Sequence, residues 1–577
     1  MFKRIFAALL LGCMLCLAFA GCGKTDLEKS QEYMNMHPLE EDKLYSVSFC
    51  LVSDAAIDPV VLSGMQAEFN RYTEGNYNIH VEFTNVTAAE YAAWLEEKFT
   101  AVEAANAIRL AEEAEVSAAK AEYERISKQE DAKAIDKLTA ELNYDVANAA
   151  YLAKTMNWSA EVVAEINAHL DAAREAFAQG KTTTGSNEMY NAESLITLNR
   201  LGMRNSGSIG SDIRQVYPEI KDYQFDIIYI ESYEMLSSLI RAGRLRDMTE
   251  DLNSKDYRLI KKQMTEKFFE SAKLGGKIYG VSSCRVMANY NYMRVNVEKA
   301  NYYNYTLKKE LSDYDSTSML RQAITAEGGN FSDYVQKDIS GDYNYRTTLE
   351  EDGTWWVYAS AQAQLPEINQ TDLMNGMLSV TAYAYVDDGG TKLTQDDDFY
   401  PAIKLLYALY SERALHTVLQ YGQQGLTYTL DTAENGNERA TVVEKITTTG
   451  YTYDVDPKYT GNSFSLYPTR EEFMNGTQNA NKIQNSETRI KKEIYAVDVA
   501  TTNADCQVAV SCGFGKVGET VTLTATPAEG FRFVNWFIKG EDGDEDDIKS
   551  TSAVYDYTII AADVTITAQF EAVAAEE

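Results

Sequence analysis

From Asn76 to Gln179 the chain contains neither glycine nor proline, while Ala, Glu and Lys abound. Text free of helix breakers over that distance excludes a loop-rich segment and favours long helices. Histidine is equally scarce: only His37, His80, His169 and His416 occur. They form no His-Glu-x-x-His pair, and no two stand at ligand spacing on one helix, so the zinc-hydrolase pattern is excluded. A Gly-x-Ser-x-Gly elbow and a Gly-x-x-x-x-Gly-Lys-Ser/Thr phosphate loop are also missing, which removes the α/β-hydrolase and P-loop readings. Positive charge is short as well, with 53 Lys and Arg against 87 Asp and Glu and a formal net charge of −34. So acidic a chain is repelled by nucleic acid and by anionic lipid, and neither is expected as a partner. Cysteine is sparse. Cys13, Cys16 and Cys22 lie at the N-terminus, and Cys50, Cys284, Cys506 and Cys512 are spread over the rest. Four thiols in so long a chain exclude a disulfide scaffold, and Cys506 and Cys512 are left either as a local bridge or as two buried free thiols.

What the chain does contain divides into regions. One extended apolar run, Ile5 to Ala20, follows Lys3 and Arg4 and precedes Gly21-Cys22. It is short for a bilayer span and has the layout of an export signal. Residues 23–42 are polar tether text. In the stretch without glycine or proline, Thr87-Ala-Ala-Glu90 has capping-box spacing and predicts the start of a first long helix. Ile135, Leu138, Leu142, Val146 and Ala149 form the apolar stripe of a second helix, and Val163, Ile166, Leu170, Ala173 and Phe177 that of a third. Breaks fall near Ser127-Lys-Gln and Asn157-Trp-Ser159. The body, from Leu44 to about Glu493, alternates strand-like and helix-like pieces, which indicates an α/β fold. Its clearest unit is FDIIYIESYEMLSSLIRAGRLRDMTEDLN, starting at Phe225. The run Phe225 to Ile230 suits a strand buried on both faces. Met235, Leu236, Leu239 and Ile240 stripe the helix that follows, and Gly243 suits its C-cap. Ligands of open parallel sheets bind at the carboxyl ends of the strands, where Glu231, Ser232 and Tyr233 stand. The last eighty or so residues turn into short alternating strands parted by Gly, Pro and Asp, a separate all-β module.

Several of these motifs carry resemblances. Phe19-Ala-Gly-Cys22 resembles the lipobox of bacterial lipoproteins, which prefers Leu where Phe19 stands. The resemblance implies a signal peptide over 1–21, acylation of Cys22 and a tether over 22–42, the alternative being a plain secretory signal with an incidental Cys. The early strand ending in Ser53-Asp54, the Phe225 unit, Gly275-Gly-Lys-Ile-Tyr-Gly-Val281 and Tyr290-Asn-Tyr-Met-Arg-Val-Asn-Val-Glu-Lys-Ala300 together resemble the extracellular solute-binding lipoproteins of bacterial ABC importers (family 1 type). Leu405-Leu-Tyr-Ala-Leu-Tyr410 and Thr417-Val-Leu-Gln-Tyr-Gly-Gln-Gln-Gly-Leu-Thr-Tyr428 look like the helix and turn of its oligosaccharide branch. Ser282 replaces the family's usual Pro, and Arg294-Val-Asn296 replaces its Asn-Lys-Asp-type text. In the last region, Gly518-Glu-Thr-Val-Thr-Leu-Thr-Ala-Thr-Pro527, Gly530-Phe-Arg-Phe-Val-Asn-Trp536 and Ala568-Gln-Phe570 resemble the internalin-type B-repeat of bacterial surface proteins.

The resemblances imply a two-lobe, periplasmic-binding-protein-like (type II) α/β fold with an inserted α-helical array and a small C-terminal all-β, β-grasp-like module. The first lobe is expected over 43–285, with the insertion at about 88–180. The second lobe and the segments returning to the first take 286–495, and the B-repeat-like module 499–572. They imply capture of a small solute between the lobes, delivery to ABC importer permease subunits, a lipid anchor on the extracellular face of the membrane, and a monomer. Neither cofactor, metal nor catalysis is expected. Carboxylate pairs are too numerous to identify a glycosidase pair by counting, and only Asp54 and Glu231 stand at strand ends. The acidic loop Glu541 to Asp547 alternates Asp like a calcium loop, but Asp547 takes the glycine position. With 39 Tyr and 5 Trp, the chain is rich in side chains that offer an apolar face and a polar tip, which suits the C–H faces and hydroxyls of neutral oligosaccharides. Polar contacts are expected from Asp54, Glu231, Ser232 and Arg285. Stacking is expected from Tyr233, Tyr290, Tyr292 and one of Trp355 and Trp356, since neighbours on a strand face opposite ways. A peptide ligand and a cell-surface interaction role for the helical array and β module remain as alternatives.

Overall fold

The first strand, β1 (Tyr45–Ser53), is buried along almost its whole length and pairs in parallel with β2 (Ile79–Thr87) from Tyr45↔Ile79 to Ser53↔Thr87. A parallel pair needs a crossover, and α1 (Pro59–Tyr77) supplies it. Asp58 caps α1 by accepting from the Val60 N–H, Pro59 occupies the first turn where no donor is needed, and Asn78 ends the helix at φ 52°. Val61, Met65, Phe69 and Thr73 recur every four residues and bury one face of α1. Inside that face the Asn70 side chain donates to Val81 O and accepts from Val81 N, so its amide is satisfied in the core.

These elements come from a computed structural model, which describes residues 44–155, 158–200, 224–253, 258–264, 266–288, 291–302, 318–340, 346–349, 352–360, 366–386, 400–476, 486–540 and 545–573. The expected signal peptide, Cys22 and tether lie outside the described residues, as do Tyr290 and residues 541–544 of the acidic loop. No described helix is long and apolar enough to cross a membrane. The chain is a mixed α/β protein of two compact units. One comprises residues up to Ile228 together with Asp251–Leu259 and Val380–Ser411; the other comprises Tyr229–Glu250, Ile260–Ser379 and Glu412–Glu577.

In the first unit β3 (Ile227–Ile230) begins beside β1, Ile227 opposite Phe49 in parallel register. The helical array follows β2 as α2 (Tyr91–Ser127), α3 (Ala134–Thr155), α4 (Ala160–Ala178) and α5 (Thr182–Arg200). Leu142, Ala149, Ile166, Leu170, Ala173, Phe177, Met189, Ala192 and Ile196 make one shared core, so the predicted stripes of the second and third helices face inward except at Val163, where Val162 packs instead. Two expectations are corrected. Thr87 is the last residue of β2, its hydroxyl donating to Glu90 (2.7 Å), and the helix starts one turn later at Tyr91. The array also runs on to Arg200 through α5, whose opening Thr182-Thr-Thr-Gly-Ser is poor helix text.

Gly185 explains how that text is tolerated. A Cβ at this position would fall on the Phe177 ring of α4, so glycine lets α5 approach closely. Gly185→Ala is expected to lose roughly 1–3 kcal/mol to overpacking, against about 1 kcal/mol gained in helix propensity. Gly75→Ala in α1, where a Cβ meets nothing within 4 Å, should be neutral or stabilising. Thermal midpoints of the two variants check the contrast.

In the second unit, Asn291–Asn296, Val335–Ser340, Arg346–Leu349 and Trp355–Ser360 form an antiparallel sheet, with Asn291–Asn296 between Val335–Ser340 and Trp355–Ser360. Gly275-to-Val281, which the family resemblance implies as a strand, is not one. It is a tight turn with Gly275 and Gly276 at φ 56° and 76°, followed by a single bridge from Val281 to Leu378. The C-terminal module begins at Ile494 and holds a five-stranded and a three-stranded sheet, with no helix among its described residues. Val497, Val521, Leu523, Trp536, Ile566 and Ala568 are fully buried in its core. Cys506 and Cys512 are free buried thiols, not a bridge.

Candidate functional site

In the second unit, the carboxyl end of β3 leads through Glu231 and Ser232 into α6 (Tyr233–Arg241). Ser232 caps the helix by accepting from the Met235 N–H (3.2 Å), and Gly243 lies past its end at φ 69°, as the sequence predicts. Three further segments converge on this strand end. From the segment at Pro457–Tyr459, the Tyr459 hydroxyl donates to Glu231 Oε1 (2.6 Å), while its carbonyl accepts from the Tyr229 hydroxyl. The two tyrosine rings meet edge to face at 5.2 Å. From Asn375-Gly376, the Gly376 N–H donates to Ile230 O (2.8 Å). A Cβ at Gly376, which sits at φ 82°, would come within 2.5 Å of Lys458 O, so only glycine admits this backbone approach. The third segment, Ser282-Ser-Cys-Arg285, is tied to the Gly461 to Ser463 loop: Cys284 N donates to Gly461 O (2.7 Å), and Ser463 N and Oγ donate to Cys284 O (2.9 and 2.8 Å).

The result is a strand end with Glu231, Ser232 and Tyr459 on it, Arg285 held beside it through Asn375, and Ser283 donating to Pro457 O (3.4 Å). Arg285 Nη2 donates to Asn375 O (3.1 Å), and its Nε is buried with no hydrogen-bond partner among the described residues. Burial pushes the guanidinium pKa down, against the upward pull of Asp456 and Asp372. The side chain as a whole is only part-buried, so the guanidinium N–H groups beyond Nε can hydrogen-bond a hydroxylated solute.

The other expected site residues are distributed as follows. Asp54 is exposed in the loop after β1 and belongs to the first unit. Tyr292 lies on Asn291–Asn296, opposite Ile339 and Ser360. Trp355 is 44% exposed and Trp356 7%, the opposite faces that strand neighbours must take. The Arg294 guanidinium covers the Trp356 ring at 4.5 Å. Tyr233 is only 2% exposed: its hydroxyl donates to Glu519 (2.8 Å), and Lys516 Nζ lies 4.4 Å from its ring centre. Burial, then Glu519, raises its phenol pKa well above the ordinary value. Tyr459 is a site residue that sequence reading missed. Asp456-Pro457 gives a turn signal there, but nothing local links it to a carboxylate 228 residues away. Among the described residues no group of three or more His, Cys, Asp or Glu is placed to hold a metal ion.

Residues 496–574 match the family model of the divergent InlB B-repeat domain. No curated protein matches the chain. Among solved structures, the chain is similar to the N-glycan transport solute binding protein NgtS of Streptococcus pneumoniae, at 10% identity and a TM-score of 0.35, over 77% of this chain and 83% of that one. NgtS in complex with Man5GlcNAc gives 10% identity and a TM-score of 0.32 over 77% and 83%. A sugar transporter from Rhizobium etli in an open conformation gives 8% and 0.22 over 76% and 94%. Likeness of this degree assigns neither a ligand nor site residues.

Proposed function

We propose that this chain is an extracellular solute-binding protein with a two-lobe, type II α/β body. It is anchored through acylated Cys22 to the outer face of the bacterial cell membrane and hands a neutral oligosaccharide to ABC importer permeases. The reading has it act as a monomer without catalysis, metal or cofactor. The observation that carries it is the convergence of Glu231, Tyr459 and Arg285 at the carboxyl end of β3, the place where open parallel sheets bind ligands. Glu231 and Ser232 offer acceptors, Arg285 offers donors, and exposed Trp355 offers a ring face.

Thermal unfolding of the full-length chain against panels of neutral oligosaccharides and peptides tests the reading. A ligand at 100 times its dissociation constant adds about 2.7 kcal/mol to native stability. A rise confined to one glycan series is the expected result; a rise with peptides alone would replace the sugar. The second reading, a surface interaction protein, is favoured by the exposed Ile108 and Leu110 on α2 and Tyr190 on α5. Silence across both panels would favour it.

A further inference from the structure

The residue expected to stack on solute, Tyr233, is instead held by the C-terminal module. Glu519, just before the strand Thr520–Thr526, accepts from the Tyr233 hydroxyl (2.8 Å) and from Arg241 Nη2 (3.4 Å). Tyr233, Ser237 and Arg241 follow one another at i, i+4 and i+8 on one face of α6, and Arg241 Nε also donates to Ser237 Oγ (3.1 Å). Beside them Lys516 Nζ pairs with Glu234 (2.8 Å) and covers the Tyr233 ring. The backbones also touch: a Cβ on Gly275 would stand 2.9 Å from Gly513 O. At the module's entry, Gln370 Oε1 accepts from the Glu493 and Ile494 N–H groups (3.1 and 3.0 Å), and Thr371 donates to Glu493 (2.8 Å).

We infer that the B-repeat module is latched onto α6 through Glu519 and Lys516, and that Tyr233 serves this latch and not the solute. The contact is polar and releasable. The Arg241 and Glu519 side chains are each about one third exposed (35% and 34%), so their attraction is screened and small, while the more buried Tyr233–Glu519 bond carries most of the specificity. Because α6 starts at the residue after Ser232, release of the module uncovers Tyr233 directly beside the polar strand end. The latch stands independently of which ligand binds there.

Cys512 reports on it. This thiol is 5% exposed, one residue before Gly513, and close enough to Arg241, Glu519 and Tyr279 to interact electrostatically with all three. Cys506 is the internal control, buried in the module with its sulfur accepting from Ala528 N (3.4 Å). The experiment is peptide-resolved thiol labelling of the full-length chain. Glu519→Ala, which removes the bond to Tyr233, is expected to speed Cys512 labelling about tenfold, and Lys516→Ala and about 1 M salt, where the Debye length falls to about 3 Å, a few-fold each, all leaving Cys506 unchanged. Tyr233→Phe, which leaves the module's own sequence intact and removes the same bond, should match Glu519→Ala more nearly than Lys516→Ala does. Cys512 labelling that ignores salt and all three substitutions would overturn the latch. So would Cys506 rising in step, because Glu519 would then serve the module's folding and not its docking.

Discussion

Trp536→Ala is expected to unfold the C-terminal module. The indole is fully buried, packed against Phe533 at 5.7 Å between centroids and opposite Ala568 in register. Truncating such a residue costs about 3–5 kcal/mol, a large share of what a small domain has to spare. Its Nε1 has no hydrogen-bond partner among the described residues, so the indole contributes shape and apolar area and leaves one buried donor unmet. Trp536→Phe removes that donor and most of the volume survives, so it should cost clearly less. Hydrogen exchange over Thr520–Thr526 and Val564–Ala572 separates the outcomes. Protection is lost with Ala and largely kept with Phe; retained protection in the Ala variant would show that the core is not organised around this ring.

The first unit is expected to lose stability as pH rises from 5 to 8, with Asp145 as the main cause. Asp145 is 6% exposed in α3, and its Oδ2 has no hydrogen-bond partner among the described residues. It faces Glu141 on its own helix and Glu193 on α5, with Tyr123 of α2 hydrogen-bonded to Glu141 and stacked on Tyr144. Burial first, then the two glutamates, pushes its pKa up to about 7. A carboxyl whose folded pKa lies above its unfolded one binds more protons when folded. Its stabilisation is complete below the ordinary carboxylate value and fades as pH climbs through about 7, at roughly 1.4 kcal/mol per unit of separation. Asp226 acts in the same direction over a lower window. Burial lifts its pKa to about 6 even though the Ser48 N–H (2.7 Å) and hydroxyl (3.0 Å), the Gln224 amide (2.6 Å) and the Tyr385 N–H (2.7 Å) all donate to it. Asp145→Asn cannot ionise, so it should raise the thermal midpoint by several degrees at pH 8 and by clearly less at pH 5, where only the first part of the penalty has developed. A variant that tracks the parent at both pH values would contradict the assignment.

Features set by local text were legible in the sequence. The unbroken apolar run of β3, Ser232 as N-cap and Gly243 past the helix end specify a strand–turn–helix within about twenty residues. The alternating strands of the C-terminal module carry their own turn residues, and its family match covers 496–574. Where a tertiary contact overrides local preference, the sequence misleads. The opening of α5 looks like a loop because its glycine is there for the Phe177 ring and not for a turn. The candidate site was half visible. Glu231 and Ser232 follow from the strand end, but Tyr459, which fixes the Glu231 carboxylate, arrives from 228 residues away. Tyr233 looks like a solute platform by position alone, because its partner Glu519 lies 286 residues on, in a module that reads as separate.

The most direct test of solute capture at the end of β3 is titration calorimetry of the full-length chain and of Arg285→Ala and Glu231→Gln with the oligosaccharide series that stabilises the parent. Saturable binding by the parent, weakened tenfold or more in both variants while thermal midpoints hold, is the predicted result, a tenfold loss being about 1.4 kcal/mol. Binding of equal strength in parent and both variants would place the solute elsewhere and contradict the account.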